Sequence, residues 1–210
     1  MVQYKITYFD SRGGAELCRL VLKAAKVDFV DERLTGEEWA KRKEGMPLQA
    51  LPVLTIDGSQ VICQSAAIAR YLAKENGLMG ANNLEALRID EVMEMFSEMV
   101  QRELIKIYMV KDNEEERNKL VKTFVEGPMK KYLTFLEMRL KENKDGKGFL
   151  VGDKLSLGDL AIYDGLSLLT ALLVNVDPFE GRSLLKEHQS RVGSVPEIAE
   201  WVSTRPKTKF

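Results

Sequence analysis

The stretch Leu51-Pro52-Val53-Leu54-Thr55-Ile56-Asp57-Gly58-Ser59-Gln60-Val61-Ile62-Cys63-Gln64-Ser65 decides how the chain folds. Two runs rich in β-branched residues flank Asp57-Gly58, and that dipeptide favours a two-residue turn because both central positions tolerate positive φ. The reading is a β-hairpin. A proline at the head of its first strand is tolerated, since that backbone N–H is not needed by a ladder. Ser65 is placed to cap a helix that runs to about Lys74, with Ala66, Ala67, Ala69 and Leu72 favouring helix.

Working outward, residues 2–8 (VQYKITY) alternate and are rich in β-branched and aromatic types, which predicts a strand ending at Tyr8. Ser11-Arg12-Gly13-Gly14 breaks it, and Leu17, Leu20, Val21 and Ala24 follow at helical spacing. A short strand from Phe29 to Arg33 and a short helix carrying Trp39 and Lys43 complete the order strand, helix, strand, short helix, hairpin, helix. That order describes a compact α/β domain over residues 1–76. Asn76 to Asn83, with its glycines and asparagines, reads as a linker. Residues 84–210 read as an all-helical domain, with helices from Ala86 to Val110, Glu114 to Asn143, Ser156 to Val174 and Glu197 to Ser203. Ser156-Leu157-Gly158-Asp159 has capping-box spacing, with Leu155 and Leu160 as a hydrophobic staple around it.

The composition narrows the partners. Of 210 residues 45% are hydrophobic, and 31 Lys and Arg face 32 Asp and Glu, so no basic footprint for nucleic acid or a membrane surface exists. No apolar run approaches about 18 residues and the N-terminus lacks a leader pattern, so a cytoplasmic protein without membrane contact is expected. Cys18 and Cys63 have no metal-ligand or CxxC spacing, so neither a metal site nor a disulfide is expected. His188, the lone histidine, lacks a neighbouring pattern for metal or nucleophile work and is read as a surface residue. The methionines of the first long helix, Met93, Met95, Met99 and Met109, are read as gap-filling core.

Chemistry is expected where strands end and helices begin, and between domains. Tyr8 ends the first strand beside the glycine turn, where its phenol can donate to an anion; a tyrosine covering the edge of the core fits the same spacing and is the commoner case. With a cis bond before Pro52, Leu51 could offer its N–H and C=O to an extended peptide; a trans proline that merely starts a strand is equally compatible. Gln64-Ser65 lies where strand meets helix, an anion site by geometry, although Ser caps many helices that hold no ligand. Trp39 and Lys43 are four apart on one helical face, able to hold a carboxylate or simply to be a packed ring beside a solvated ammonium.

Taken together, YKITYF with Tyr8, the RGGAE turn, EEWAKRK with Trp39 and Lys43, LPVL with Pro52, QSAAIARYLA, VGDKLSLGDLAIYD and the closing RPKTKF resemble sigma-class glutathione transferases, including those of nematodes and the haematopoietic prostaglandin D synthases. The resemblance spans essentially the whole chain. It implies a thioredoxin-like N-terminal domain, cis Pro52, an all-α C-terminal domain, a homodimer, and reduced glutathione as co-substrate with no tightly bound cofactor. By that analogy Tyr8 donates to the glutathione sulfur, and Trp39 and Lys43 hold the glycine carboxylate. Gln49, Ala50, Leu51 and Pro52 border the peptide, Gln64 and Ser65 grip the γ-glutamyl end, and Glu98 of a partner subunit reaches its amine. Phe9, Val100, Ile105 and Tyr108 are the implied walls for a hydrophobic electrophile. Many sigma relatives carry an arginine where Gly14 stands, its charge helping to lower the thiol pKa, and Gln49-Ala50 replaces the more usual Gly-Lys or Gly-Arg; both departures count against efficient prostaglandin isomerisation and leave room for weak activity. The alternatives to conjugation are a prostaglandin D synthase or peroxidase on the same site, and a crystallin-like or ligand-carrier protein with little activity.

Overall fold

A computed structural model describes residues 2–173 and 175–208. The chain divides into two compact units, one formed by the described residues of Met1–Met79 together with Val192–Phe210, the other by Gly80–Arg191. Residues 192 onward therefore cluster with the N-terminal unit.

In the first unit, β1 (Tyr4–Phe9), α1 (Glu16–Ala24), β2 (Phe29–Leu34), α2 (Gly36–Arg42), β3 (Val53–Ile56), β4 (Gln60–Cys63) and α3 (Ser65–Glu75) follow in sequence, as the pattern predicts. The four strands form one mixed sheet in the order β2-β1-β3-β4, with β1 parallel to β2 and β3 antiparallel to both β1 and β4. Ile6, Val53 and Leu54 of the sheet are buried, as are Leu20, Val21, Ile68 and Leu72 of the helices. Thr35 caps α2 through a full capping box with Glu38. Ser65, expected as the cap of α3, is instead its first helical residue; Gln64 occupies the cap with φ 76° and makes no side-chain cap bond.

Tyr4, buried at the start of β1, has its phenol pushed up to about 12, first by burial and then by a hydrogen bond with Tyr71. The folded protein thus holds this proton more tightly than the unfolded chain, whose tyrosines titrate near pH 10. Its contribution is complete below about pH 10 and is lost as pH climbs toward about 12. Denaturant unfolding followed across that window should show stability falling by up to about 2–3 kcal/mol, with Tyr4→Phe flattening the fall.

The second unit is helical: α4 (Asn83–Met99), α5 (Ile105–Met109), α6 (Glu114–Glu126), α7 (Pro128–Lys141), α8 (Leu157–Leu172) and most of α9 (Ser183–Gly193). The predicted single helix from Ala86 to Val110 is interrupted by a π-helical stretch at Val100–Leu104, where the Ile105 N–H reaches back five residues to the Val100 carbonyl. The predicted helix over 114–143 is two helices. Pro128 lacks an N–H and clashes with the preceding turn, so it ends α6 and opens α7 at the first helical position. The predicted end of α8 at Val174 lies outside the described residues, and α9 is an element the periodicity does not announce.

Gly165 lets α4 and α8 touch: a Cβ there would stand 2.0 Å from the Phe96 ring. At the start of α8 the predicted capping box is present, Ser156 receiving the Asp159 N–H while Asp159 receives the Ser156 N–H. Asp159 is wholly buried and also accepts from Leu150 N–H at 2.6 Å and lies 2.8 Å from His188 Nε2. His188 is therefore not a surface residue. It sits fully buried on α9 and ties that helix to the head of α8, a contact made across 29 residues that spacing alone does not reveal. Met93 and Met99 are core residues, whereas Met109 is 73% exposed, so the core reading holds for only part of that set. After α9, α10 (Pro196–Thr204) belongs to the first unit.

Candidate functional site

The first unit gathers most of the expected site residues around one strand end. β1 delivers Tyr8 beside a 3₁₀ turn at Gly13–Ala15, and the Gly14 N–H donates to the Tyr8 hydroxyl oxygen at 3.0 Å. Only a glycine fits at position 13, where φ is 36° and a Cβ would stand 2.6 Å from that same oxygen. At Gly14 a Cβ would meet the Pro52 ring at 3.5 Å and the Tyr8 oxygen at 3.6 Å, so tyrosine, turn and proline converge on one spot. The Leu51–Pro52 bond is cis.

Among the described residues the Tyr8 O–H has no acceptor. An oxygen that accepts an N–H becomes a better donor through its own proton, so this phenol is poised to donate outward. Its ring meets Phe9 at 5.4 Å between centroids, and Phe9 meets Trp39 at 5.9 Å, both edge to face. An aromatic run thus links the strand end to α2. Lys43 follows one turn after Trp39, its N–H donating to the Trp39 carbonyl and its side chain exposed.

Before the cis bond, Leu48 and Gln49 both hold left-handed backbone, φ 53° and 47°, and Gln64 holds φ 76° with ψ 101°. Each such non-glycine conformation costs about 1–3 kcal/mol, and costs of this kind cluster where backbone is held for a ligand. Ala50 is exposed and Leu51 half-buried, beyond the end of β3. Among the described residues, the Leu51 backbone, the Trp39 indole, the Lys43 ammonium and the side chains of Gln64 and Ser65 form no hydrogen bond. The unit therefore presents several unspent donors besides the phenol.

The remaining candidates lie in the second unit. Glu98, near the end of α4, pairs with Arg102 at 3.0 Å. Val100, Ile105 and Tyr108 are exposed at 37%, 45% and 42%. The π-helical register carries Val100 and Ile105 on one face, and Tyr108 follows three residues later. No group of three or more potential metal ligands exists among the described residues, and no helix there is long and apolar enough to cross a membrane. Both cysteines are free thiols.

Two family models match, the glutathione S-transferase N-terminal domain over residues 4–74 and the glutathione S-transferase C-terminal domain over 98–205. The chain belongs to the glutathione S-transferase family. Across full length on both sides, this transferase-family chain is 36% identical to glutathione S-transferase 3 of Caenorhabditis elegans and 33% identical to S-crystallin SL11 of Nototodarus sloanii. It is similar in structure to a monomeric glutathione S-transferase of the hookworm Necator americanus, at 35% identity and TM-score 0.90, covering 99% of this chain and all of that one.

Reasoning from the sequence of this family member missed one set of groups beneath Tyr8. Glu16 and Arg19, in α1, are both fully buried and paired at 3.2 Å. Two charges at helical spacing beside the apolar Leu20 were the available signal.

Proposed function

We propose that the protein is a sigma-like glutathione transferase that takes reduced glutathione as co-substrate and adds its thiolate to hydrophobic electrophiles. One observation carries the reading: the Tyr8 hydroxyl accepts the Gly14 N–H and keeps its own proton for an outside acceptor. A free thiol titrates near pH 8.5 and is mostly protonated, hence a poor nucleophile, at neutral pH. A hydrogen bond given to the thiolate and not to the thiol lowers that pKa, and a fall of two units needs about 2.7 kcal/mol, within reach of a short charge-assisted bond.

The rest of the tripeptide has a partner for each polar group. Trp39 and Lys43 take the glycine carboxylate, Gln49 to Pro52 border the peptide with Leu51 pairing its cysteinyl backbone, and Gln64 and Ser65 grip the γ-glutamyl end. The reading also makes the active form a homodimer in which a second copy's Glu98 reaches the γ-glutamyl amine; the half-exposed Glu98 side chain supports it. Phe9, Val100, Ile105 and Tyr108 then hold the electrophile, a role the exposure of Val100, Ile105 and Tyr108 suits. The place of action is the cytoplasm, where glutathione is reduced and partly exposed Cys63 stays a thiol.

The test is the rate of glutathione addition to a generic aromatic electrophile as a function of pH. The expected profile stands well above buffer and falls through an apparent pKa well below that of free glutathione. Glutathione binding without any rate above buffer would instead favour the crystallin-like reading that the S-crystallin relative keeps in play.

A further inference from the structure

The buried charges beneath Tyr8 form a continuous set of contacts that starts on the C-terminal helix. Trp201 Nε1 and Arg205 Nη1 both donate to Glu16 Oε1, at 2.8 and 2.5 Å. The other oxygen of Glu16 receives Arg19 Nη1 at 3.2 Å. That nitrogen also donates to the carbonyls of Ser11 and Arg12, at 2.8 and 3.3 Å, while Arg19 Nε donates to Asp31 at 2.8 Å. Asp31 is held in turn by Arg33, which also pairs with Asp10. The two carbonyls belong to the segment that immediately precedes Gly13 and Gly14, and Gly14 supplies the N–H to the Tyr8 oxygen. The guanidinium lies over the Tyr8 ring, 6.0 Å from its centroid, with Nη2 buried and without a hydrogen-bond partner.

An ion pair buried this deeply adds little net stability over apolar residues of the same size, whereas it fixes geometry well. From these contacts we infer that Arg19 is a positioning residue for the Tyr8 hydroxyl, and that Glu16, Trp201 and Arg205 set its placement from the C-terminal helix. Arg19 pulls the Ser11 and Arg12 carbonyls inward and so aims the Gly14 N–H at the phenol oxygen. Its planar fork holds two carboxylates and two carbonyls at once, which a lysine ammonium on a flexible stem does not reproduce. The inference rests on Tyr8 as the thiol-activating group.

The experiment titrates the thiol of glutathione bound to the full chain, by its thiolate absorbance, in Trp201→Phe, Arg19→Lys, Tyr8→Phe and the double variant Tyr8→Phe/Trp201→Phe. Thermal melting selects the variants that fold. Trp201→Phe should reduce the thiolate fraction at neutral pH about threefold, and Arg19→Lys about tenfold, each with glutathione affinity changed less than twofold. In the Tyr8→Phe background Trp201→Phe should have no further effect, because the coupling runs through the phenol. Folded single variants that titrate like the unaltered protein, or a Trp201→Phe effect undiminished without the phenol, overturn the inference. A Tyr8→Phe protein whose bound thiol keeps the lowered pKa of the unaltered protein removes the assignment of Tyr8 itself, and the positioning role falls with it.

Discussion

Replacing Tyr8 by Phe should reduce the addition rate at neutral pH about 25-fold while leaving glutathione affinity nearly unchanged. The reason lies in what the substitution spares. Phe keeps the ring and therefore its edge contact with Phe9, and the Gly13–Gly14 turn keeps its backbone. It removes only the oxygen that receives the Gly14 N–H and the proton left for the sulfur. If the phenol supplies about two units of thiol pKa, from about 8.5 to about 6.5, its loss lowers the thiolate fraction at pH 7 from about three-quarters to about 3%, roughly 25-fold. The loss should shrink as pH rises, because above pH 8.5 or so the thiol ionises unaided. Rate against pH for both proteins, with affinity from calorimetry, checks this; equal rates at neutral pH would remove Tyr8 from the chemistry.

The second large effect concerns folding. Asp159→Ala should cost about 3–5 kcal/mol in the second unit. The carboxylate accepts from Leu150 N–H at 2.6 Å, Ser156 N–H at 2.9 Å and Ser156 Oγ at 2.6 Å, with His188 Nε2 at 2.8 Å. Asp159, Ser156 and His188 are all buried, so donors stripped of this acceptor have no water to turn to. Asn at 159 should recover only part of the loss, since its amide nitrogen would face donors. Urea unfolding monitored by circular dichroism gives the number, and a change below 1 kcal/mol would mean the buried donors find other partners.

How much of this was legible beforehand follows from what kind of signal each feature leaves. The hairpin, the order of elements in the first unit, the head of α8 and the position of Tyr8 were readable, because turn dipeptides, alternation and cap spacing are local. The π-helical stretch was not, since its apolar residues still recur every three to five positions. The break at Gly127–Pro128 was readable in principle but was overridden by the periodicity on either side. Helix α9 was missed because few apolar residues punctuate Ser183–Gly193, and its buried His188 gains meaning only through Asp159. Among the site residues, spacing could nominate Tyr8, Trp39, Lys43, Gln64 and Ser65 but left each with an ordinary structural alternative. What separates them in the structure is that their donors are unspent. The positive φ at Gln64 was invisible, because nothing about a glutamine announces it.

The return of the last helix to the first unit also sets a timetable. Trp201 and Arg205 meet Glu16 across 185 and 189 residues. A ribosome adding about 5–20 residues per second delivers these partners about 10–40 s after the carboxylate they will bury beside. Throughout that interval the nascent N-terminal unit carries an acid and an arginine prepared for a dry interior that is not yet closed. Newly made chains therefore pass through a stage in which the sheet can assemble while the floor under Tyr8 stays wet, and that stage is where a chaperone or a protease would meet them.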